Sequence, residues 1–263
     1  GAVVRTMKLR TRAGYNRAGW DLRYDAPKKV ELRTLAPDNP HVWDEARFAG
    51  KKTRPITHWG ILPAQTNGPL ALPGRYTVRL TVGGRTQTQP LEVLKNNELA
   101  TSDADLAAST RAQLRIRNDL DTAVAMINRI EVMRKQVEDE RAASRGKPDV
   151  LAALADVDRK MLDVELRLLS REELNSDDKY FSESYKVYMN LVWLSGEVGS
   201  GAGDVAGGAD TRPTDASLAV LDSLEQQLAA AKTAYARLMQ EEVPTFNKAM
   251  AGKVGAIAVS GSR

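Results

Sequence analysis

The sequence predicts an α+β protein, in which an antiparallel β-domain of sandwich type precedes an antiparallel bundle of about four helices. The β-domain is predicted from residues 72–93, where apolar and polar side chains alternate on both sides of Gly83-Gly84, as they do in a hairpin. The helices are predicted from the residues after Ser102, where apolar side chains recur every three or four positions.

This change of pattern divides the chain into a β-domain over 1–97, a helical bundle over 98–250 and a tail over 251–263. Residues 1–100 hold 17 Lys and Arg against 8 Asp and Glu, whereas the rest of the chain holds 21 against 26. The basic residues alternate with apolar ones instead of forming a run, so we expect a solvated basic face and no nucleic-acid partner. The tail is small, apolar and rich in Gly and Ser, so we expect it to be mobile or bound to a partner.

Three strands are predicted before the hairpin, over Val3–Leu9, Asn16–Tyr24 and Val30–Leu35. Trp20 lies on the apolar side of the second strand, and we expect it to fill the interior of a sandwich. A long irregular loop is expected over 36–72, because five prolines interrupt that stretch.

The long loop carries Trp43 and Trp59, two large aromatic side chains that we expect to be buried. A loop of this length inside a domain is usually functional or packs on a neighbour. Both tryptophans are therefore candidate interface residues.

In the hairpin, four alternate residues are predicted to form one apolar face: Tyr76, Val78, Leu80 and Val82. Two glycines at the tip supply the positive φ angles that a two-residue turn requires. Pro90 cannot donate a ladder hydrogen bond, so it limits the second strand to an edge, a bulge or a strand end.

The first helix is predicted from an N-cap at Ser102 to about Ala143, with a few polar breaks in its apolar stripe, among them Glu131 and Arg134. A second helix ending near Leu168 should pair with it as an antiparallel hairpin.

A third, shorter helix carries a group of aromatic residues that includes Tyr185 and Tyr188. At helical spacing such residues mostly enter a core, whereas an exposed subset marks a protein interface. A glycine-rich loop over 196–212 leads to a fourth helix, which Pro244 is expected to end or kink.

Residues that could carry chemistry occur without the spacing that chemistry requires. The chain has no cysteine, and its two histidines, His41 and His58, have no metal-ligand spacing. Carboxylate pairs at Glu172 and Asp177 fall at helix ends, where they act as caps. The glycine-rich loop lacks the Lys-Ser ending of a phosphate loop. We therefore predict no catalytic, cofactor-binding or metal site, and no transmembrane segment, because no run of about 18 apolar residues occurs.

Four segments taken together resemble the C-terminal region of large bacterial sortilin-like proteins with BNR or Asp-box repeats: 14–27, 68–93, 101–130 and 212–250. The resemblance implies an immunoglobulin-like module followed by helices, downstream of a secreted β-propeller. It also implies a binding role and an extracytoplasmic location, periplasmic or secreted. No Asp-box, S-x-D-x-G-x-x-W, occurs in the chain, so no catalytic residue is carried over.

In related modules other strands precede the one at Val3, so we expect an incomplete sandwich. Its open edge should be covered by a neighbouring chain or by the long loop, because an open edge promotes aggregation. The candidate interface residues are Val3, Val4, Arg5, Trp43, Trp59, Tyr185 and Tyr188.

These expectations lead to the hypothesis of a non-enzymatic structural protein. It would be an exported accessory subunit that stabilises other protein subunits of a larger assembly, such as a respiratory or photosynthetic membrane complex. The alternative hypothesis is a C-terminal accessory or carbohydrate-binding part of a glycosidase-like propeller protein.

Overall fold

The computed structural model describes residues 1–9, 12–56, 67–175, 181–199 and 211–259, and 50% of these described residues are helical. Its strands and helices are β1 (Gly74–Val82), β2 (Arg85–Val93), α1 (Asp103–Ala143), α2 (Pro148–Glu165), α3 (Arg171–Leu174), α4 (Val187–Val198), α5 (Asp215–Arg237) and α6 (Val243–Ala249). A 3₁₀ turn at Pro40–Asp44 precedes β1, and a π-helical turn at Leu238–Glu242 joins α5 to α6.

The predicted β-sandwich, immunoglobulin-like and incomplete, is wrong. β1 and β2 form a two-stranded antiparallel sheet, and no further strand joins it in the described part of the chain. The predicted strands at Asn16–Tyr24 and Val30–Leu35 contribute only isolated bridges, and Val3–Leu9 forms no strand.

The reason is that a helix takes the place of the neighbouring strand. Residues 27–36, which we call the strap, run extended along α1. Val30, Leu32, Thr34 and Ala36 of the strap are buried, so the two-residue period that predicted a strand is present.

Side chains of α1 accept the backbone amide protons that a sheet would have satisfied. The acceptors are Asp121 for Lys28 at 2.7 Å, Asn128 for Glu31 at 2.8 Å, Glu131 for Thr34 at 2.9 Å and Glu138 for Leu35 at 2.7 Å. Seven extended residues span roughly 23 Å, and the 17 residues from Asp121 to Glu138 rise roughly 25 Å as a helix. The two spacings match closely enough for strap and helix to stay in register.

The helix α1 is the centre of the fold, and it packs against α2, α4 and α5. Its N-terminal half shares a core with α4, α5 and the strap, which includes Ile116, Ile127 and Leu191. Its C-terminal half shares a second core with α2, α6 and the π-helical turn, which includes Met133 and Leu154. No described helix is both long enough and apolar enough to cross a membrane.

The predicted ends of α1 are confirmed. The Ser102 side chain accepts a hydrogen bond from Asp105 N at 3.1 Å, and the helix ends at Ala143. Gly146 then adopts a φ of 85°, and Pro148 begins α2.

Pro244 does not end the last helix but changes its hydrogen-bond register. Proline lacks an N–H and crowds the preceding turn. The chain responds with the π-helical turn, in which Val243 N donates to Leu238 O, five residues back. α6 then continues to Ala249.

The tail contacts the helices as far as residue 259. Asn247 exchanges two hydrogen bonds with the backbone of Ile257, each 2.9 Å long. Gln136 does the same for Ala258, at 2.8 and 3.0 Å. Ile257 is buried in the second core, so this part of the tail belongs to the helical body.

Candidate protein-docking site

The hairpin of β1 and β2 is built as the sequence predicts. Gly83 and Gly84 have φ angles of 55° and 78°, and Val82 is paired with Arg85 across them. Positive φ at both central residues defines a type I′ turn, whose twist matches that of the flanking strands.

The apolar face of this hairpin remains uncovered. Val78, Leu80 and Val82 are 49%, 51% and 55% exposed. Because these side chains alternate along β1, they form an apolar stripe on one face of that strand, and their partners on β2 are Gln89, Gln87 and Arg85. Neighbouring exposed apolar side chains on a soluble protein are often part of a binding surface.

The two outer edges of the hairpin differ. The residues that flank a two-residue turn form a hydrogen-bonded pair, and such pairs alternate with non-bonded ones along the ladder. Thr77 and Pro90 face each other at a non-bonded position, so the missing N–H of Pro90 falls on the outer edge of β2. The outer edge of β1 keeps every outward N–H: those of Arg75, Thr77, Arg79 and Thr81.

The polar face of the hairpin is basic along β1. Arg75 and Arg79 lie on it together with Thr81, whose hydroxyl is 2.9 Å from that of Thr86 on β2. Neither arginine has an ion-pair partner among the described residues. Arg75 lies opposite Glu92 on β2, whereas Arg79 lies opposite the neutral Thr88. An anionic group beside β1 would therefore meet two cations, of which Arg79 has no carboxylate opposite it.

The base of the hairpin is held by the segment around Trp20. The Trp20 and Tyr76 rings meet edge to face at 5.4 Å, so Trp20 covers the start of the apolar face instead of filling a sandwich. Beside them, Tyr24 N donates to Pro69 O at 2.8 Å. A Cβ at Gly68 would lie 1.9 Å from Tyr24 O, so only glycine allows this close approach.

The candidate residues at the start of the chain are not part of a sheet edge. Val3 is 75% exposed, whereas Val4 and Arg5 are half-buried. Arg5 donates to Tyr24 O at 2.9 Å and lies 3.6 Å from an Asp25 carboxylate oxygen. These contacts tie the first residues to the base of the hairpin.

Trp43 is partly buried and packs near the end of the strap. Its indole N–H donates to Thr34 O at 3.0 Å, and it packs on a small cluster with Val42 and Phe48. The Arg54 guanidinium lies 5.7 Å from its ring centre. Trp59, the second tryptophan of the long loop, lies outside the described residues.

The two tyrosines of α4 and the turn before it face the first core. Tyr188 is 5% exposed within that core, and Tyr185 is half-buried against it. Burial, followed by the nearby Glu173 carboxyl, raises the pKa of Tyr188 above its ordinary value. Tyr188 therefore presents little surface to a partner.

A buried ionic network joins the strap to α1 and α2. Glu131 and Glu165 are fully buried, and Arg134 donates to Glu165 at 2.7 Å and to Asp158 at 2.9 Å. Glu131 also accepts from the Thr34 hydroxyl at 2.7 Å. The polar breaks predicted in the apolar stripe of α1 are therefore mutual partners inside the protein.

The charges of this network shift one another's protonation. Burial, followed by the adjacent Glu131 carboxylate, raises the pKa of Glu165 to about 8. Burial alone would lower the pKa of Arg134, but Glu165, Asp158 and Glu131 raise it. Because both glutamates are closed to solvent, the network has no surface on which a substrate could bind, and its role is to hold the strap.

Other clusters of polar side chains offer little chemistry. Within the described ranges, no three His, Cys, Asp or Glu side chains lie close enough together to hold a metal ion. His41 pairs with Asp44 at 3.2 Å on the surface, and His58 and Asp177 lie outside the described residues. Glu172 accepts from the Ser182 hydroxyl at 3.0 Å, as a surface carboxylate does.

Sequence reasoning missed the outer edge of β1 with Arg75 and Arg79. The signal was present, since a proline on the second strand marks that strand's outer edge and leaves the first strand as the better one to extend.

No protein-family model, curated protein or solved structure matches this chain, and the resemblance to sortilin-like proteins therefore stays a prediction.

Proposed function

We propose that this chain is a non-enzymatic interaction protein whose hairpin accepts an extended segment of a partner protein along the outer edge of β1. The observation that carries the proposal is the pairing of an uncovered apolar stripe with a strand edge whose outward N–H groups are all present. In strand addition, main-chain hydrogen bonds supply affinity and alternate side chains supply specificity. Both elements occur on β1.

The side chains of β1 define the chemistry of the partner segment. Residues that lie beside Val78, Leu80 and Val82 should be apolar, because they extend the same exposed stripe. Residues that lie beside Arg75 and Arg79 should be acidic, since cross-strand pairs of opposite charge are favourable. The expected partner is therefore an extended segment in which apolar and acidic residues alternate.

The helical body gives this hairpin a fixed base, as an accessory subunit of a larger assembly requires. We place that assembly outside the cytoplasm, on the resemblance of the sequence to exported proteins. Fractionation of source cells tests the location separately from the docking mode.

A synthetic peptide tests the docking mode directly. β1 has nine residues, so the probe is a fluorescent nine-residue peptide in which Val and Glu alternate. We expect saturable binding to the full chain in fluorescence anisotropy. A peptide with the same composition but blocks of Val and Glu should bind at least about tenfold more weakly, because its apolar and acidic residues cannot separate onto two faces.

Two proline variants distinguish the edges. Thr77→Pro removes an outward N–H from β1, and Thr88→Pro removes one from β2, each at a non-bonded ladder position. We expect T77P to weaken peptide binding about tenfold and T88P to change it by less than about twofold. Equal effects of the two variants, or no binding by the unmodified chain, would contradict the proposal.

A charge exchange provides the second control. The double variant R75E/R79E should bind the Val-Glu peptide more weakly and a Val-Lys peptide more tightly, because the preferred charge at those positions is reversed. A double variant that still prefers the acidic peptide would show that the arginines do not select the partner.

A further inference from the structure

A groove lies between the strap, α1 and α5, far along the chain from the hairpin. Its volume is about 390 Å³, and its lining residues are Lys28, Asp121, Thr122, Ala125, Met126, Arg129, Lys232 and Tyr235. This volume lies within the range that holds small ligands, about 300 to 1,000 Å³.

Three cationic residues from three separate elements line this groove. Lys28 lies on the strap, Arg129 on α1 and Lys232 on α5. None of the three side chains has a hydrogen bond or ion pair within the described part of the chain. Exposed lysines and arginines elsewhere are often paired, as Arg115 is with Asp222 and Glu225.

The single carboxylate of the groove does not balance these charges. Asp121 Oδ1 accepts the strap amide of Lys28 at 2.7 Å, and Oδ2 lies 4.0 Å from Arg117. Its charge is thus shared with a backbone donor and with an arginine outside the groove. The groove is left with an excess of positive charge.

The floor of the groove is apolar. Met126 is buried, and Tyr235 packs against both cores of the helical body. The Tyr235 hydroxyl has no hydrogen-bond partner among the described residues, so it can donate to a ligand. A site of this kind offers a flat apolar surface beside converging cationic donors.

We propose that this groove binds a small phosphate ester that carries a flat apolar ring. The phosphate dianion would lie among Lys28, Arg129 and Lys232, where charge-assisted hydrogen bonds are available. The ring would lie on Met126 and Tyr235. This site is independent of peptide docking, because the groove and the hairpin share no residue.

Methyl NMR on the full chain tests the proposal, with phenyl phosphate as the probe and ¹³C-methyl methionine as the label. The Met126 methyl signal, assigned through Met126→Leu, should shift and saturate with a Kd on the order of 0.1 to 1 mM at low salt. The methyl signals of Met161 and Met189, buried in the cores away from the groove, should stay in place. Inorganic phosphate should bind more weakly, because it lacks the ring, and benzoate more weakly, because it carries one charge.

Matched variants separate a built site from general positive charge. Lys232→Met should weaken phenyl phosphate binding about five- to tenfold, whereas Lys253→Met, which removes an exposed lysine outside the groove, should change it by less than about twofold. Tyr235→Phe should keep the ring contact and lose the hydroxyl, with an intermediate effect.

Two results would overturn the proposal. One is an unchanged Met126 signal at about 10 mM phenyl phosphate, which corresponds to no useful affinity. The other is an equal effect of K232M and K253M, which would indicate diffuse attraction to a basic protein.

Discussion

Large apolar side chains are exposed in the hairpin but buried in the helical body. Leu80 of the hairpin is 51% exposed, whereas Leu154 of α2 is fully buried between α1 and the C-terminal elements. A two-stranded hairpin on its own is marginally stable in water, so its order depends on the glycine turn, the ladder and the Trp20 contact. The helices therefore contribute most of the stability of this protein, and the hairpin contributes little.

The strap shows a third arrangement, in which an extended segment is buried without a sheet. Side chains of α1 accept most of its bonded amides, and Leu32 N donates instead to Arg54 O at 2.9 Å. An alternating sequence pattern therefore predicts an extended conformation, but it does not show whether the segment belongs to a sheet. The predictions below test where the stability lies.

The largest expected effect is that of Arg134→Met in the buried network. It leaves Glu131 and Asp158 without their cation and removes the donor to Glu165, and breaking a buried ion pair costs about 3 to 5 kcal/mol. Urea denaturation at pH 7 measures the loss. Arg159→Met is the matched control, since Arg159 is exposed on α2 and pairs only with surface aspartates. Similar midpoints for the two variants would refute the structural role of the network.

The second effect compares the two leucines. Leu154→Ala should cost about 2 to 5 kcal/mol, because it leaves a cavity in a packed core. Leu80→Ala should cost less than about 1 kcal/mol, because the side chain is half-exposed in the free protein. Thermal unfolding of both variants measures the difference. A large loss for L80A would show that the hairpin face is covered in the free protein.

The third effect concerns the strap. Thr34→Val removes the buried hydroxyl that donates to Glu131, and hydrogen bonds to charged groups contribute about 1.5 to 3 kcal/mol. Thr233→Val, which removes an exposed hydroxyl on α5, should cost about 0.5 kcal/mol or less. Chemical denaturation of both variants provides the test, and equal costs would contradict the anchoring of the strap.

The smallest change in the free energy of unfolding is expected for Glu165→Gln at low pH. The pKa of Glu165 is raised from 4.5 to about 8, so the folded protein keeps a proton that the unfolded chain releases. The stability from this proton is fully present below pH 4.5 and is lost as the pH rises to about 8. E165Q should therefore have nearly the same free energy of unfolding as the unmodified protein at pH 4.5. Above pH 4.5 its free energy of unfolding should fall less steeply with pH. Parallel declines in both proteins, measured by denaturation at several pH values, would contradict the raised pKa of Glu165.

The sequence predicted the helices better than the β-domain, for a physical reason. An apolar stripe that runs along 41 residues and follows an N-cap at Ser102 is compatible with little other than a long helix. The polar positions Glu131 and Arg134 were visible as breaks in that stripe. Their partners Thr34 and Glu165 lie on distant segments, so the network could not be read from spacing.

The strap shows why the sandwich was predicted. Alternation in Val30–Leu35 reports that one side of an extended chain is buried, but not what satisfies its backbone. Here the acceptors are Asp121, Asn128 and Glu138, which read in sequence as ordinary polar positions on a helix. The hairpin was predicted correctly because its turn and its pairing are local.

Amide hydrogen exchange measured residue by residue tests the central comparison most directly. If the helical body holds the strap and merely carries the hairpin, the amides of Glu31 and Thr34 should exchange orders of magnitude more slowly than the ladder amides of Val78 and Leu80. Strap amides that exchange as fast as those of the hairpin, or hairpin amides as slow as that of Ile127 in α1, would contradict the account.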